Sequence, residues 1–297
     1  MVEHQETRQR LREHLHALTV TIGERSVSRP ENLKKTADYI SSFYEELGLA
    51  VDTQAYSYAQ LPVANIIAEI SFCDNPKQRF LLGAHYDSVS GTVGADDNAS
   101  AIAVQLEVAR LLARQPDKDD LDLAVRFVSF ALEEPPAYGT RHMGSRVYAR
   151  AARAQKEKID GMICLEMVGY ACHVPGCQSY PFPLMFLDYP ETGNFIGIVN
   201  NFKSRGFAQK LMQQFEKNDD LPVIRLTVPL NGYVMPAVRL SDHASFWDRG
   251  YKAVMVTDSA FFRNPYYHTA GDTMDKLDLD FMTEVVESLV IFFQSHR

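Results

Sequence analysis

Apolar segments that end in acidic or histidine side chains are the feature that most constrains how this chain can fold. Residues 80–87, FLLGAHYD, form a nearly continuous apolar run that ends in His85 and Asp87. Such a run is typical of a strand covered on both faces, whereas carboxylates prefer water. We therefore expect the strand to present its last residues at a sheet edge, where ligands and catalytic groups commonly lie. The following loop adds Asp96 and Asp97 directly before an alanine-rich stretch with high helix propensity.

From residue 79 onward, segments with strand character alternate with segments of helical spacing. The strand-like segments are 79–85, 123–132, 161–166, 222–228 and 252–258, and the helical ones are 98–114, 144–158, 202–217 and 279–294. This alternation predicts a three-layer α/β/α sandwich around a mixed, mostly parallel sheet. No internal repeat or linker interrupts the pattern. We therefore predict a single domain over residues 1–297, with an elaborated loop at about residues 170–200 that is rich in Pro, Gly and Tyr.

The charge and hydropathy of the chain argue against several kinds of partner. The formal net charge is −8, and no basic run stands out, which argues against a surface for nucleic acid or anionic membranes. No stretch approaches the roughly 20 apolar residues of a membrane span. The first ten residues are polar and lack the apolar core of a signal peptide. We therefore expect a cytoplasmic protein without a membrane or nucleic-acid partner.

Four cysteines are present, at positions 73, 164, 172 and 177. This number is too small for a disulfide scaffold, and cytosolic proteins keep their thiols reduced. Cys172 and Cys177 could form a redox pair or half of a zinc site, but no second Cys/His pair follows at the spacing of a zinc finger. We predict two unpaired thiols in a loop.

Acidic and histidine residues follow the apolar strands in a fixed order. They are His85 and Asp87, Asp96 and Asp97, Glu133 and Glu134, Glu166, and His268. The carboxyl ends of parallel strands meet at one edge of a sheet, so residues far apart in sequence can converge there. Histidine and carboxylate ligands suit zinc, and also manganese or cobalt. Any one of these residues alone is more often a solvated side chain, but the ordered set predicts a metal site.

The local motifs around these residues resemble those of a zinc exopeptidase family. That family contains bacterial leucyl aminopeptidases, glutamate carboxypeptidase and glutaminyl cyclase. The match runs from about Pro30 to the C-terminal helix, and the motifs keep their order. They are HYDS at 85–88, GADDNAS at 94–100, EE at 133–134 with MGS at 143–145, LEMVG at 165–169, SDH at 241–243 and YHTAGDT at 267–273.

The resemblance implies a metallopeptidase with two zinc ions, for which cobalt or manganese could substitute. His85 and Glu166 would hold one metal, and Glu134 and His268 would hold the other. Asp97 would bridge both metals, because the bridging acid of the family directly precedes an Asn-Ala-Ser-like turn. Asp96 is then expected to be an ordinary loop acid.

The resemblance also implies how the residues around the metals act. Glu133 is similar to the general base of the family, and a cis peptide bond is expected between Asp97 and Asn98. Asp87 lies close enough in sequence to accept a hydrogen bond from the free ring nitrogen of His85. Asp242 and Asp272 are weaker candidates for similar supporting roles, and a loop cap or a surface acid describes each equally well.

Two departures from the family pattern concern the substrate site. The family commonly has Asp where this chain has Glu166, so the carboxylate here is one methylene longer. The segment after Glu134 begins with Pro135-Pro136 and is longer than the usual Gly-Leu-x-Gly-Ser path. That loop borders the expected cleft, so the substrate preference of the family does not transfer. Tyr138 and His142 are weak candidates for lining the pocket.

Several functions are compatible with these motifs. The first is an aminopeptidase acting on peptide or aminoacyl substrates, and the second is a glutaminyl-cyclase-like acyltransferase that uses one zinc ion. A complete two-metal ligand set favours the hydrolase and argues against a non-catalytic descendant such as the transferrin receptor. A related clan inserts a dimerisation domain before its last histidine, and the roughly 100 residues from Glu166 to His268 leave little room for one. Aminopeptidase or carboxypeptidase activity, the native metal and the oligomeric state stay open at this point.

Overall fold

A computed structural model of the chain describes residues 2–115, 121–181, 185 and 189–296. Within these ranges the α-helices are α1 (Val2–His16), α2 (Pro30–Glu46), α3 (Ala101–Ala113), α4 (Gly144–Ala154), α5 (Arg205–Phe215), α6 (His243–Asp248) and α7 (Leu279–Gln294). The strands are β1 (Val51–Tyr58), β2 (Leu61–Ser71), β3 (Gln78–His85), β4 (Leu123–Phe130), β5 (Gly161–Glu166), β6 (Ile196–Asn201), β7 (Val223–Val228) and β8 (Ala253–Thr257).

All of these strands belong to one eight-stranded sheet with the order β1-β2-β4-β3-β5-β8-β6-β7. The four central strands β4, β3, β5 and β8 run parallel to one another. The hairpin of β1 and β2 joins β4 in antiparallel fashion, and β6 is antiparallel to β8 but parallel to β7. The predicted mixed, mostly parallel sheet is confirmed.

Helices cover both faces of this sheet, as the nearly continuous apolar strands require. In β3, Phe80, Leu82 and Ala84 belong to the larger core, whereas Leu81 belongs to a smaller core on the opposite face. Successive side chains of a strand point to opposite faces, so both faces need apolar partners. The larger core packs under α1, α2, α3, α5 and α7, and the smaller one under α4 and α6. This is the predicted three-layer sandwich.

The parallel strands place the predicted site residues at one edge of the sheet. His85, the last residue of β3, pairs with Phe130, the last residue of β4, and Glu166 ends the neighbouring β5. Residues 133 and 134 follow β4 after a short turn. The carboxyl ends of β3, β4 and β5 therefore meet, and the long-range convergence expected from sequence is present.

The prediction of a loop at about residues 170–200 is wrong at its C-terminal end. Residues 196–201 form β6, a fully buried strand between β8 and β7. The apolar run is short and contains Gly197, which weakened its strand signal behind a stretch rich in Pro and Tyr. Of the expected loop, residues 182–184 and 186–188 lie outside the described residues.

The prediction that Cys172 and Cys177 are unpaired thiols is also wrong. The two residues form a disulfide, and their Cα atoms are 6.5 Å apart. The amide of Cys172 donates to the carbonyl of Gly193, and the amide of Cys177 donates to the carbonyl of Val174. These bonds fold the segment back on itself and bring the two Cα atoms within the range that a disulfide can bridge.

None of the helices in the described ranges combines the length and the apolar character that crossing a lipid bilayer requires.

Candidate metal centre

The first group of candidate ligands lies where β3 and β5 end side by side. Nε2 of His85 lies 3.4 Å from Oδ1 of Asp97 and 3.5 Å from Oε2 of Glu166. One ligand atom from each of these three side chains lies within 4.8 Å of the other two, and all three residues are buried. The structure therefore brings together three predicted site residues in a geometry that could hold a metal ion.

The second group shares Asp97 with the first. Nε2 of His268 lies 3.1 Å from Oδ2 of Asp97 and 3.4 Å from Oε2 of Glu134. These three side chains also offer ligand atoms within 4.8 Å of one another. Because Oδ1 of Asp97 faces His85 and Oδ2 faces His268, the carboxylate of Asp97 lies between the two groups. This is the position expected of a bridging ligand.

Unpartnered polar atoms mark the same site. Among the described residues, neither ring nitrogen of His85 has a hydrogen-bond partner, and the Oε1 atoms of Glu133 and Glu134 have none. Buried polar atoms in native proteins are almost always paired, so such a concentration indicates that another group satisfies them. Histidine nitrogens and carboxylate oxygens are ligands that zinc accepts.

The electrostatics of the site also fit cations. Burial raises the pKa of Glu133 well above its ordinary value, and it raises the pKa of Glu134 to about 8. Burial also opposes the ionisation of Asp97, but His268 and His85 outweigh it and lower the pKa of this carboxyl. Like charges in a buried site repel unless positive charge compensates them. The buried carboxyl groups here are Asp87, Asp97, Glu133, Glu134, Glu166 and Asp242. The residues present therefore fit zinc.

Asp87 connects the first ligand to the segment after β4. Its Oδ1 accepts a hydrogen bond from the amide of Glu133 (2.9 Å), and its Oδ2 accepts one from the amide of Glu134 (3.0 Å). Nδ1 of His85 lies 3.3 Å from Oδ1 of Asp87. The hydrogen bond expected between Asp87 and His85 is present only as this 3.3 Å contact, without the geometry of a hydrogen bond, and the two amide contacts were not anticipated from the sequence. The carboxylate of Asp87 also fixes the backbone that carries both glutamates.

Asp272 and Asn98 hold the loop that carries Asp97. Oδ1 of Asp272 accepts from the amide of Asp96 (2.8 Å), and Oδ2 accepts from the amide of Asp97 (3.1 Å). The side chain of Asn98 bonds to the backbone on both sides of Glu166, at 3.1 and 2.9 Å. The expected cis peptide bond between Asp97 and Asn98 is present. Asp272, a weak candidate from the sequence, therefore holds the backbone that carries Asp97.

Asp96 is not the ordinary loop acid that the sequence suggested. It is fully buried, and its carboxylate accepts from the amide of Gly169 (2.9 Å) and the side-chain amide of Asn264 (2.7 Å). Burial raises its pKa well above the ordinary value, and the charge of Asp258 raises it further. Asp96 thus joins the loops after β5 and β8 beneath the site. A pair of adjacent acids in a sequence does not show that both are buried.

Ser241 holds the unusual glutamate at position 166. Its hydroxyl donates to Oε2 of Glu166 at 2.6 Å, and Sγ of Cys164 lies 3.2 Å from the same hydroxyl. The contact joins residues 75 positions apart in sequence. A fixed hydrogen bond restricts the rotamers of the longer carboxylate and so keeps its oxygens directed at the site.

Replacing Ser241 with alanine is expected to weaken zinc binding about 10- to 100-fold, because partners that orient a ligand typically contribute that much to metal affinity. Competition with a chromophoric chelator measures the dissociation constant. Ser245→Ala is the matched control, since the hydroxyl of Ser245 contacts Ser145 rather than a candidate ligand. Equal zinc affinity in the two variants would contradict the role given to Ser241.

An apolar cavity opens beside Glu166. Glu166 is the one charged residue among its described lining residues. The walls include Ile198, Leu226, Phe261 and Tyr267. The ring of Tyr267 also stacks on His268, with ring centroids 3.8 Å apart. The cavity therefore adjoins both groups of candidate ligands.

The two weak pocket candidates after Pro136 do not line this cavity. The hydroxyl of Tyr138 donates to the carbonyl of Arg239 at 3.4 Å, and the ring of His142 packs against Tyr58. The residues that form the apolar walls come mainly from β6, β7 and β8 and their loops, which carry no sequence motif that predicts a pocket.

Comparison with known proteins identifies the family. The profile of peptidase family M28 matches residues 65–292. The chain belongs to peptidase family M28. This confirms the predicted zinc metallopeptidase at the level of the family. The Escherichia coli protein YfbL, described as uncharacterized, is 36% identical over 288 residues that cover 94% of this chain and 85% of YfbL. This M28 chain spans about half the length of fungal relatives named leucine aminopeptidase or probable zinc metalloprotease.

Solved structures share the M28 sandwich. The LapA aminopeptidase of Legionella pneumophila superimposes with a TM-score of 0.76 at 20% identity, covering 100% of this chain and 74% of LapA. A Porphyromonas gingivalis glutaminyl cyclase gives a TM-score of 0.70 at 20% identity, covering 99% of this chain and 98% of the cyclase. At this level of identity the likeness concerns the fold alone. The activity of the M28 chain has to be argued from its own site.

Proposed function

We propose that this M28 protein is an aminopeptidase with a two-zinc centre and that residues 1–297 form one catalytic domain. The observation that supports it most is that two groups of three candidate ligands share the carboxylate of Asp97. In this proposal His85 and Glu166 would hold one ion, Glu134 and His268 would hold the other, and Asp97 would serve both. A mononuclear site would need only one of the groups.

Glu133 is the proposed general base. Zinc held by these ligands would supply a Lewis acid that polarises the scissile carbonyl and lowers the pKa of a bound water molecule. Glu133 is buried next to the ligand Glu134, and its Oε1 has no partner among the described residues. It accepts the proton of the attacking water and returns it to the leaving amine. Asp87 keeps Glu133 in place through the hydrogen bond from its amide.

The apolar cavity supports a preference for N-terminal residues with apolar side chains. Its described walls carry no charge apart from Glu166 at the metal centre, and Ile198, Leu226 and Phe261 surround it. An apolar side chain gains free energy by leaving water for such a cavity, whereas a charged side chain would lose its hydration without a partner. We therefore expect leucine or phenylalanine at the substrate N-terminus.

A leucyl substrate is expected to show a kcat/KM about 10- to 100-fold above that of the alanyl analogue, because three additional buried carbon atoms contribute about 2 kcal/mol. Steady-state rates on leucyl, phenylalanyl, alanyl and aspartyl derivatives of one chromophore measure this preference. Equal values for the leucyl and aspartyl derivatives would contradict the assignment of the cavity to the N-terminal side chain.

Glutaminyl cyclisation is the competing activity, since the same sandwich occurs in a glutaminyl cyclase. Three substrates distinguish the candidates with zinc, cobalt or manganese present: an aminoacyl chromophore, an N-terminal Gln peptide, and an N-terminally blocked peptide with a free C-terminus. We expect release of the chromophore and no cleavage of the blocked peptide. Ring closure of the Gln peptide without release of the chromophore would replace the aminopeptidase with the cyclase.

A further inference from the structure

We propose that Arg25 is a positioning residue for the metal centre, and that the segment between α1 and α2 therefore supports this centre. This inference rests on the proposed two-zinc site. Arg25 lies outside residues 65–292, which match the family profile. Its side chain is nevertheless fully buried. A buried guanidinium is rare unless specific partners surround it.

The guanidinium of Arg25 is bonded entirely to backbone carbonyl groups. It donates to the carbonyl oxygens of Tyr86 (2.9 Å), Val93 (2.6 Å), Gly94 (2.8 Å), Leu18 (3.2 Å) and Gly23 (3.3 Å). The first three belong to the loop that connects His85 with Asp97. A planar group with several donors in fixed directions is suited to bind such a spread of acceptors. Arg25 thus ties the N-terminal segment to the loop between two proposed ligands.

Backbone contacts reinforce the link between the N-terminal segment and this loop. The amide of Arg25 donates to Oγ of Ser88 at 3.1 Å, and the amide of Ser88 donates to the carbonyl of Arg25 at 3.4 Å. The hydroxyl of Ser88 in turn donates to the carbonyl of Thr92 at 3.2 Å. The loop is therefore held along its length and not at one point.

Arg25 and Asp272 bind different backbone groups of this loop. Arg25 binds carbonyl groups up to Gly94, and Asp272 binds the amides of Asp96 and Asp97. Gly94 adopts a φ of +51°, and a Cβ at this position would lie 2.2 Å from the carbonyl oxygen of Asp97. The loop therefore passes through a conformation that only glycine fits, three residues before Asp97. Loss of the contacts made by Arg25 or of those made by Asp272 would allow the carboxylate of Asp97 to move.

The positive charge of Arg25 also stabilises the buried carboxylates of the metal centre. Burial lowers the pKa of its guanidinium to about 10, while Asp272, Asp87 and Asp97 raise it, so the group is a cation at neutral pH. A fixed positive charge near the buried carboxylates reduces their mutual repulsion. Lysine would keep the charge but offers fewer donors from a single nitrogen, so it cannot replace all of the carbonyl contacts.

The test compares zinc affinity and zinc-induced stabilisation in wild type, Arg25→Lys and a control. We expect Arg25→Lys to weaken zinc binding about 10- to 100-fold, as loss of a group that orients a metal ligand does, and to reduce the rise in Tm on adding zinc. A purely structural role would lower the Tm of the zinc-free and zinc-loaded forms equally. Far-UV circular dichroism checks that the variant is folded.

Arg110→Lys is the matched control. Arg110 is also buried, but it lies in the last turn of α3 and binds the side chains of Glu107 and Thr7. Its replacement should leave the zinc dissociation constant unchanged. Ser88→Ala removes the hydroxyl beside Arg25 and should weaken zinc binding by a smaller factor, and it decides the test if Arg25→Lys does not fold.

The outcomes separate the two proposals. If Arg25→Lys binds zinc as tightly as wild type does, the role of Arg25 is overturned and the aminopeptidase proposal stands. If Arg25→Lys does not fold, the same conclusion follows from wild-type zinc affinity in Ser88→Ala. A wild-type protein that binds no zinc would overturn both. Weakened binding in Arg25→Lys with unchanged binding in Arg110→Lys would support the assignment.

Discussion

Replacing Glu133 with glutamine is expected to leave both zinc ions bound and to lower kcat by about 10²- to 10⁴-fold, the usual contribution of a general base. Glutamine has the same shape but cannot take a proton from water at neutral pH. The amide of residue 133 still donates to Asp87, so the backbone at this position should not move. Elemental analysis and steady-state kinetics on an aminoacyl chromophore measure the two effects.

Glu134→Gln is the matched control for Glu133→Gln. The two residues are adjacent, are both buried, and both donate their amides to Asp87. However, Oε2 of Glu134 lies 3.4 Å from Nε2 of His268, within the second group of ligands. Its replacement should release zinc, whereas replacement of Glu133 should not. Full peptidase activity in Glu133→Gln would contradict the assigned mechanism.

Asp97→Ala should lose both zinc ions. Each oxygen of this carboxylate faces a different histidine, at 3.4 Å for His85 and 3.1 Å for His268. Removing the carboxylate leaves only two protein ligands in each group, whereas a catalytic zinc site normally has three. Elemental analysis after dialysis should find less than one zinc per chain, and the aminopeptidase activity should be lost with it.

His268→Ala distinguishes a bridging ligand from an ordinary one. His268 belongs only to the group with Asp97 and Glu134, so its loss should remove one zinc ion and leave the other on His85, Asp97 and Glu166. Retention of one tightly bound zinc ion in Asp97→Ala would show that Asp97 serves a single metal, and the bridging role would then be wrong.

A metal site could be predicted because acids and histidines follow the apolar strands in order, and the resemblance to the exopeptidase family singled out the candidate ligands among them. His85 and Glu166 close buried strands, and the fold that brings them together follows from the alternation of strands and helices. The groups that hold them could not be found in this way. Ser241 contacts Glu166 across 75 positions, and Arg25 contacts Val93 across 68 positions. A single serine or arginine in a loop carries no local signal of such a partner.

The missed strand and the missed disulfide have a related physical cause. β6 is buried between two other strands, so its character depends on neighbours that the local sequence does not show. The bond between Cys172 and Cys177 depends on how the backbone turns between them and pairs with Gly193. The disulfide lies within residues 170–200 and β6 begins within them, and the Pro, Gly and Tyr content of this stretch indicated only a loop.

Anomalous diffraction at the zinc edge from crystals of the zinc-loaded protein tests the two-metal centre most directly. We expect two peaks, one among His85, Asp97 and Glu166 and the other among Asp97, Glu134 and His268. Glu133 should lie beside both peaks without coordinating either. A single peak, or two peaks away from Asp97, would contradict the proposed centre.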